Sequence, residues 1–429
     1  MKNFLLLTVF VFLSQSCVWL ESDLGFGISR MSEQHRPAAD PDSGKVTKAF
    51  ADTLLYMSAV RVPEGYDWRR DTACGVDGCT LLLLRSHIQG DSITVPETVL
   101  SIPAGRRERV SADADLHHII GCHLYTEFSD VSRTSVARDG IIVVEYPDRE
   151  VLQGLLPLES SIWTLGRNLR GGFTLRKDGT VIYRQDSGTV FGGFNEPGYG
   201  PTGALYEDLG QVCFSFMKSV GGRRSVYIVR DGEDTLLLST TVSLPLDAKS
   251  LDGKDALVSK GAEGTVLQWD GESRDMTVRE LLDWQSGGIL SCDGKPLFAG
   301  TFRWSDGGGP SFMGGVFKGN GAHCELGYGS DRIYCSRSHY FGVGEDTQGF
   351  VYCQGIDEYG KVYVAQYQDE PCYLFSASCA TLEGGDWYVA LTPWRDGGRT
   401  FVLCRHGRKE MDVNGFLSGV AVEICPAGG

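Results

Sequence analysis

One local pattern recurs along this chain and limits what it can fold into. A short apolar alternation ends in a basic or aromatic residue, Asp-Gly or a stand-in follows, and a second short apolar run begins. It reads Ser135-Val-Ala-Arg-Asp-Gly140, Phe173-Thr-Leu-Arg-Lys-Asp-Gly179, Val226-Tyr-Ile-Val-Arg-Asp-Gly232, Val266-Leu-Gln-Trp-Asp-Gly271, Val316-Phe-Lys-Gly-Asn-Gly321 and Phe401-Val-Leu-Cys-Arg-His-Gly407, with degenerate copies ending at Gly90 and Glu370. Asp-Gly and Asn-Gly take the positive φ angles of a type I′ turn, whose twist suits two flanking strands, so each copy predicts a β-hairpin. The eight markers are spaced 37 to 53 residues apart. Ahead of each lies another apolar run, such as Val212-Cys-Phe-Ser-Phe216 or Trp387-Tyr-Val-Ala-Leu391. A repeat of about 45 residues with room for four short strands is the pattern of a β-propeller blade.

The copy Asp293-Gly-Lys-Pro-Leu-Phe-Ala-Gly300, continuing through Gly315-Val-Phe-Lys-Gly-Asn-Gly321, resembles the propeller repeat of some exported bacterial proteins, a Val-Tyr-Val-Ala-Gly strand before a Tyr-Trp-Lys-Asn-Gly hairpin. The resemblance covers about residues 50 to 425 and implies an all-β propeller of seven to eight four-stranded blades over residues 49–429. Paired β-sandwiches and a β-helix are the rival architectures. Sandwiches do not require one hairpin marker through the whole chain, and β-helix rungs are shorter. Gly419-Val-Ala-Val-Glu-Ile424 is expected to close the ring against a first-blade strand near Leu54 to Val60.

The N-terminus sets an expected address. Lys2, the apolar run Phe4 to Leu13 and Ser14-Gln15-Ser16-Cys17 form a charged region, a short hydrophobic region and a cleavage site. That run is far short of the about 20 apolar residues of a membrane span. It resembles a bacterial lipoprotein signal, which implies that residues 1–16 are removed and that Cys17 carries the lipid. Ser14 stands where such signals usually have Leu; the alternative is ordinary cleavage beside Ser16, giving a periplasmic or secreted protein. Residues 17–48 read as lipid attachment and tether, and the expected location is the bacterial envelope, at the outer membrane.

The formal charge is −15, and −16 once Lys2 is removed. This argues against nucleic acid as partner and leaves the lipid as the expected membrane link. Hydrophobic residues at 42% support a packed core, and 56 glycines against 15 prolines fit many tight turns. Setting Cys17 aside, twelve cysteines remain, of which Cys74 and Cys79 form the one local pair suited to a disulfide, while Cys213, Cys353 and Cys404 sit in apolar strands as small hydrophobes.

Chemistry-bearing motifs are sparse. His117, His118, Cys122 and His123 suggest a metal, but strand residues two apart are separated by about 6.5 Å, so a histidine pair at a strand start is the better reading. Asp186-Ser-Gly-Thr-Val-Phe191 faintly resembles the Asp-box turn of sialidase propellers, and reads as a turn. Asp113, Asp115 and the pair Glu345-Asp346 lack calcium-loop spacing. The glycine-rich stretches Gly192–Gly200 and Gly307–Phe312 lack the lysine of a phosphate loop and read as strand connections. No metal and no cofactor is expected. Aromatic residues expected in inter-strand loops, Tyr66, Trp68, Tyr199 and Trp304 with Tyr206 and Phe312, suit sugar rings or a peptide. The expected function is non-catalytic binding or scaffolding toward a glycan or envelope protein; the alternative is a polysaccharide hydrolase or lyase.

Overall fold

The computed structural model describes residues 53–61, 80–89, 92–103, 117–129, 133–192 and 204–261, and beyond these the strands between Thr265 and Ile424. Within the compact unit from Phe50 to Gly429, the described residues form eight antiparallel sheets. Blade 1 comprises His117–Ile120, His123–Ser129, Thr134–Arg138 and Ile141–Tyr146; blade 2 comprises Glu150–Leu158, Ser161–Asn168, Phe173–Lys177 and Thr180–Gln185. In blade 3 the first strand is split into Thr189–Val190 and Tyr206–Asp208, followed by Gln211–Val220, Arg223–Arg230 and Glu233–Thr240. Blades 4, 5, 6 and 7 begin at Leu244, Leu281, Ser330 and Leu374, each with four strands in chain order.

Blade 8 is composite. The final strand Phe416–Ile424 pairs antiparallel with Thr53–Arg61, from Thr53 opposite Ile424 to Val60 opposite Phe416, and Thr80–Gln89 and Glu97–Pro103 complete the sheet. The closure expected from the sequence is therefore present in the expected segments. Successive blades touch mainly through their first strands, and blade 8 touches both blade 7 and blade 1. The fold is a β-propeller.

Apolar clusters lie between the blades. Leu156 and Leu165 of blade 2 pack with Val212, Phe214 and Val229 of blade 3, and a nest of rings joins Phe173 to Phe214 and Phe216 at centroid distances of 5.7 and 5.0 Å. Each such fully buried ring contributes about 1.5–3 kcal/mol relative to exposure.

The Asp-Gly marker performs three tasks in one turn. Both residues have the positive φ of a type I′ turn: 52° and 82° at Asp139-Gly140, 49° and 79° at Asp178-Gly179, 48° and 93° at Asp231-Gly232. Each aspartate carboxylate accepts the amide of the second residue of its blade's second strand, from Leu124, Ile162 and Val212 at 2.9, 2.8 and 2.9 Å. The glycine also admits the outer strand of the preceding blade. A Cβ at position 140 would lie 3.2 Å from Ile102, and one at position 232 would lie 2.7 Å from Ile182. One marker falls elsewhere: the hairpin of blade 6 joins Ile356 to Val362, whereas Glu370 lies between Gln366 and Leu374, in the connection to blade 7.

Candidate functional site

Strand alternation gives the propeller two unlike ends. At one, the turn end, two-residue turns join first to second strands in blades 1 to 4, at Gly121-Cys122, Glu159-Ser160, Leu209-Gly210 and Asp252-Gly253, and Asp-Gly turns join third to fourth strands in blades 1 to 3. At the other, the loop end, lie the second-to-third connections and the links between blades. Arg61 and Thr80, Pro103 and His117, and Gln366 and Leu374 all terminate their strands there.

The expected ligand-contacting aromatics distribute accordingly. Tyr66, Trp68 and Tyr199 lie outside the described residues, as do Cys17, Cys74, Cys79, Asp113, Asp115 and the tether. Trp304, Phe312 and Tyr206 are in strands, not loops: Trp304 pairs with Leu281 and Ser311 near the loop end of blade 5, and Tyr206 belongs to the first strand of blade 3. The glycine-rich stretch from Gly192 falls where that first strand is interrupted. Its flanks are anchored, with Phe191 N donating to Ser215 O at 3.0 Å, Ala204 N donating to Gln153 O at 2.8 Å, and Leu205 seated against Gly154 so closely that a Cβ there would lie 2.7 Å from the leucine.

Where blades 3 and 4 meet, charged and polar groups of both converge. Tyr206 Oη accepts the Ser250 amide at 2.8 Å, and the Lys249 ammonium sits 4.9 Å from the Tyr206 ring centroid. Ser250 Oγ donates to Asp208 at 2.6 Å and accepts from Arg230 at 3.1 Å, while Arg230 pairs with Asp255. Burial is the largest influence on the titrating members. It lowers the Lys249 amine, raises the Tyr206 phenol well above its ordinary value and pushes the buried Cys213 thiol up to about 12. Cys213 is thus an inert core residue, as its apolar context suggested.

A drier cluster fills the seam between blades 1 and 2. Arg176, 1% exposed, places Nη1 3.2 and 3.1 Å from the two carboxylate oxygens of Glu150, itself 3% exposed, and also pairs with Asp148. Its guanidinium lies 4.2 Å from the Tyr146 ring centroid. Burial still leaves the Glu150 carboxyl above the ordinary carboxylate range, because desolvation outweighs the pull of Arg176. Sequence inspection missed this arginine: in Phe173-Thr-Leu-Arg-Lys177 it looks like one of two solvated bases before a turn.

The histidines behave as a strand-start pair. His118 Nε2 lies 3.2 Å from Glu127 Oε1, both buried, and His123 Nδ1 lies 2.6 Å from Asp139 Oδ2 at the turn end. Among the described residues no three His, Cys, Asp or Glu side chains are grouped to hold a metal. Asp186 and Ser187 form a simple bend between blades 2 and 3.

No protein-family model and no curated protein matches this chain. Solved structures with similar folds include a puromycin-hydrolyzing peptidase of Mycobacterium tuberculosis, 11% identical over 80% of this chain with a TM-score of 0.40. An acylaminoacyl peptidase of Pyrococcus horikoshii is 10% identical over 82% of this chain, TM-score 0.39, and this chain spans 59% of the length of each of these two peptidases. The β-propeller domain of the Trilobed protease from Pyrococcus furiosus is 12% identical, with 74% of this chain and 90% of that domain covered and a TM-score of 0.35. These likenesses concern architecture; the assignment as a β-propeller rests on the eight sheets and the pairing of the last strand with the first described one.

Proposed function

We propose that this chain is a non-catalytic binding or scaffold protein of a bacterial envelope, anchored by a lipid on Cys17, that holds a glycan or a protein partner over its loop end. The observation that carries the reading is the asymmetry of the ends. In blades 1 to 4 two-residue turns join first to second strands at the turn end, whereas the strand ends Arg61, Thr80, Pro103 and His117, which flank long stretches of chain, lie at the loop end. The charged groups described at the two blade seams are engaged in pairing, Arg176 with Glu150 and Asp148, and Arg230 with Asp255. Thr53, the first described residue, lies at the turn end. The test is capture of glycans from an array, and of envelope proteins by crosslinking, with the parent chain and with Trp68→Ala and Trp304→Ala variants. Binding that both variants retain undiminished removes the loop-end assignment.

A second reading, a polysaccharide hydrolase or lyase, draws on the meeting of Tyr206, Lys249 and Asp208 from two blades. It requires new reducing ends or unsaturated products from a polysaccharide, abolished by Tyr206→Phe. Lack of turnover across neutral and acidic polysaccharides removes it.

A further inference from the structure

The net charge of −15 is spread unevenly over the two ends of blades 1 to 4, with acids prevailing at the turn end although Arg138, Lys177 and Lys254 flank its turns. The turn end gathers acids because its turns are built from them: Asp139, Asp178, Asp231 and Asp252 occupy positive-φ positions, joined by Glu159 and Glu233. At the loop end bases collect, with Asp148, engaged by Arg176 and Arg184, and the exposed Asp186 among them. Arg149 lies in the link from blade 1 to blade 2, Arg167 and Arg170 flank the tip of blade 2, and Arg223 begins the third strand of blade 3. All four are exposed, and none has a carboxylate partner among the described residues. They contrast with the paired bases Arg176 and Arg230.

Apolar side chains stand beside them. Leu169 is 78% exposed next to Arg170, Val220 is 68% exposed three residues before Arg223, and Val242 is 87% exposed in the link that follows. Arg224 of blade 3 donates to the Ser243 carbonyl at 3.1 Å, which brings that link to the same tip. The surface thus alternates guanidinium groups with small aliphatic contacts across adjacent blades.

We infer that the loop end of blades 2 and 3 binds an acidic polysaccharide, its carboxylate or sulfate groups taken by Arg149, Arg167, Arg170 and Arg223 and its ring C–H faces by Leu169 and Val220. This rests on the loop-end binding reading and names its ligand class. Guanidinium groups recognise carboxylates and sulfates bidentately, and several arginines distributed over two blades suit a repeating polyanion better than one small anion.

The experiment is affinity electrophoresis of the full chain through gels containing a polyuronate, a neutral glucan, or neither, together with flotation on vesicles of phosphatidylglycerol and phosphatidylethanolamine. Retardation by the polyuronate alone is expected, weakening about tenfold when Arg167, Arg170 and Arg223 are all changed to Gln, and also when ionic strength shortens the Debye length from about 10 Å to about 3 Å. A control altering Glu159 and Glu233 to Gln at the turn end leaves retardation in place. The inference is overturned by equal retardation in the neutral glucan, by an arginine variant retarded like its parent, or by vesicle binding stronger than polyuronate binding. Glycan or protein binding at the loop end that ignores the arginine changes sinks the acidic ligand but keeps the binding reading; depolymerisation of the polyuronate sinks the binding reading itself.

Discussion

The turn end and the loop end of this propeller are made of the same strands, yet they solve different problems. At the turn end the Asp-Gly turns of blades 1 to 3 are held by local chemistry: positive φ at two residues and a carboxylate on a strand amide, with the glycine close beneath a neighbouring strand at Gly140 and Gly232. At the loop end the second-to-third turn of blade 3 has space around it. Gly221 and Gly222 also have positive φ, at 57° and 81°, but a Cβ at either would meet nothing within 4 Å. Backbone conformation alone is therefore enforced at the loop-end turn of blade 3, and conformation together with interblade packing at its Asp-Gly turn.

The largest expected effect tests the tie between the two ends. Arg176 sits on the strand that descends to the Asp178-Gly179 turn, and its guanidinium reaches Glu150, the first residue of the strand entering from the loop end. Arg176→Met strands a buried carboxylate and is expected to cost about 3–5 kcal/mol at neutral pH, measured by denaturant unfolding. The pH dependence has a definite sign. A carboxyl whose folded value is raised supports the folded state most in acid and withdraws that support as pH rises through the raised value. The penalty of Arg176→Met should therefore shrink as the pH is lowered and Glu150 in the variant takes up a proton. A penalty independent of pH would mean that lost packing, not stranded charge, is responsible.

A glycine pair compares the ends directly. Gly232→Ala places a Cβ 2.7 Å from Ile182 Cγ2 at a φ of 93°, and is expected to cost about 2–3 kcal/mol; Gly222→Ala, at open space, should cost about 1 kcal/mol. Equal costs would show that backbone strain alone decides both. Next come the side-chain caps. Asp178 accepts the Ile162 amide at the turn end, and Asn168 accepts the amides of Arg170 and Gly172 at 2.9 and 3.0 Å at the loop end. Replacing either with Ala should remove about 1 kcal/mol, and amide exchange should quicken at Ile162 in one variant and at Gly172 in the other. The smallest effect is chemical. Cys122, half-exposed in a turn-end turn, should label with a maleimide in the folded protein, while Cys213 should label only after unfolding.

Much of the architecture was legible because the hairpin marker is a local requirement. Asp-Gly appears where two successive positive φ values are needed, and the apolar runs before it supply the inner strands. Reading failed where the local requirement relaxed. In blade 6 the hairpin joins Ile356 to Val362 through a longer connection, so a two-residue marker was sought in the wrong place, at Glu370. The split first strand of blade 3 was read as one long connection because Tyr206-Glu207-Asp208 is too short to show a period. The candidate surface was less legible still. Arg149, Arg167, Arg170 and Arg223 are scattered in sequence, and only the alternation of strand direction gathers them at one end while sending the aspartates of the Asp-Gly turns to the other.

The composite eighth blade bears on how the chain is made. The nine residues Thr53–Arg61 lie between a strand that follows them closely and the nine residues Phe416–Ile424, synthesised long after them. Until those arrive, one edge of the earliest described strand has no partner, a long-range pairing that forms slowly and is adhesive while it waits. A product that stops short of Phe416 keeps that edge bare, so incomplete chains advertise themselves to quality control through the same strand that seals complete ones.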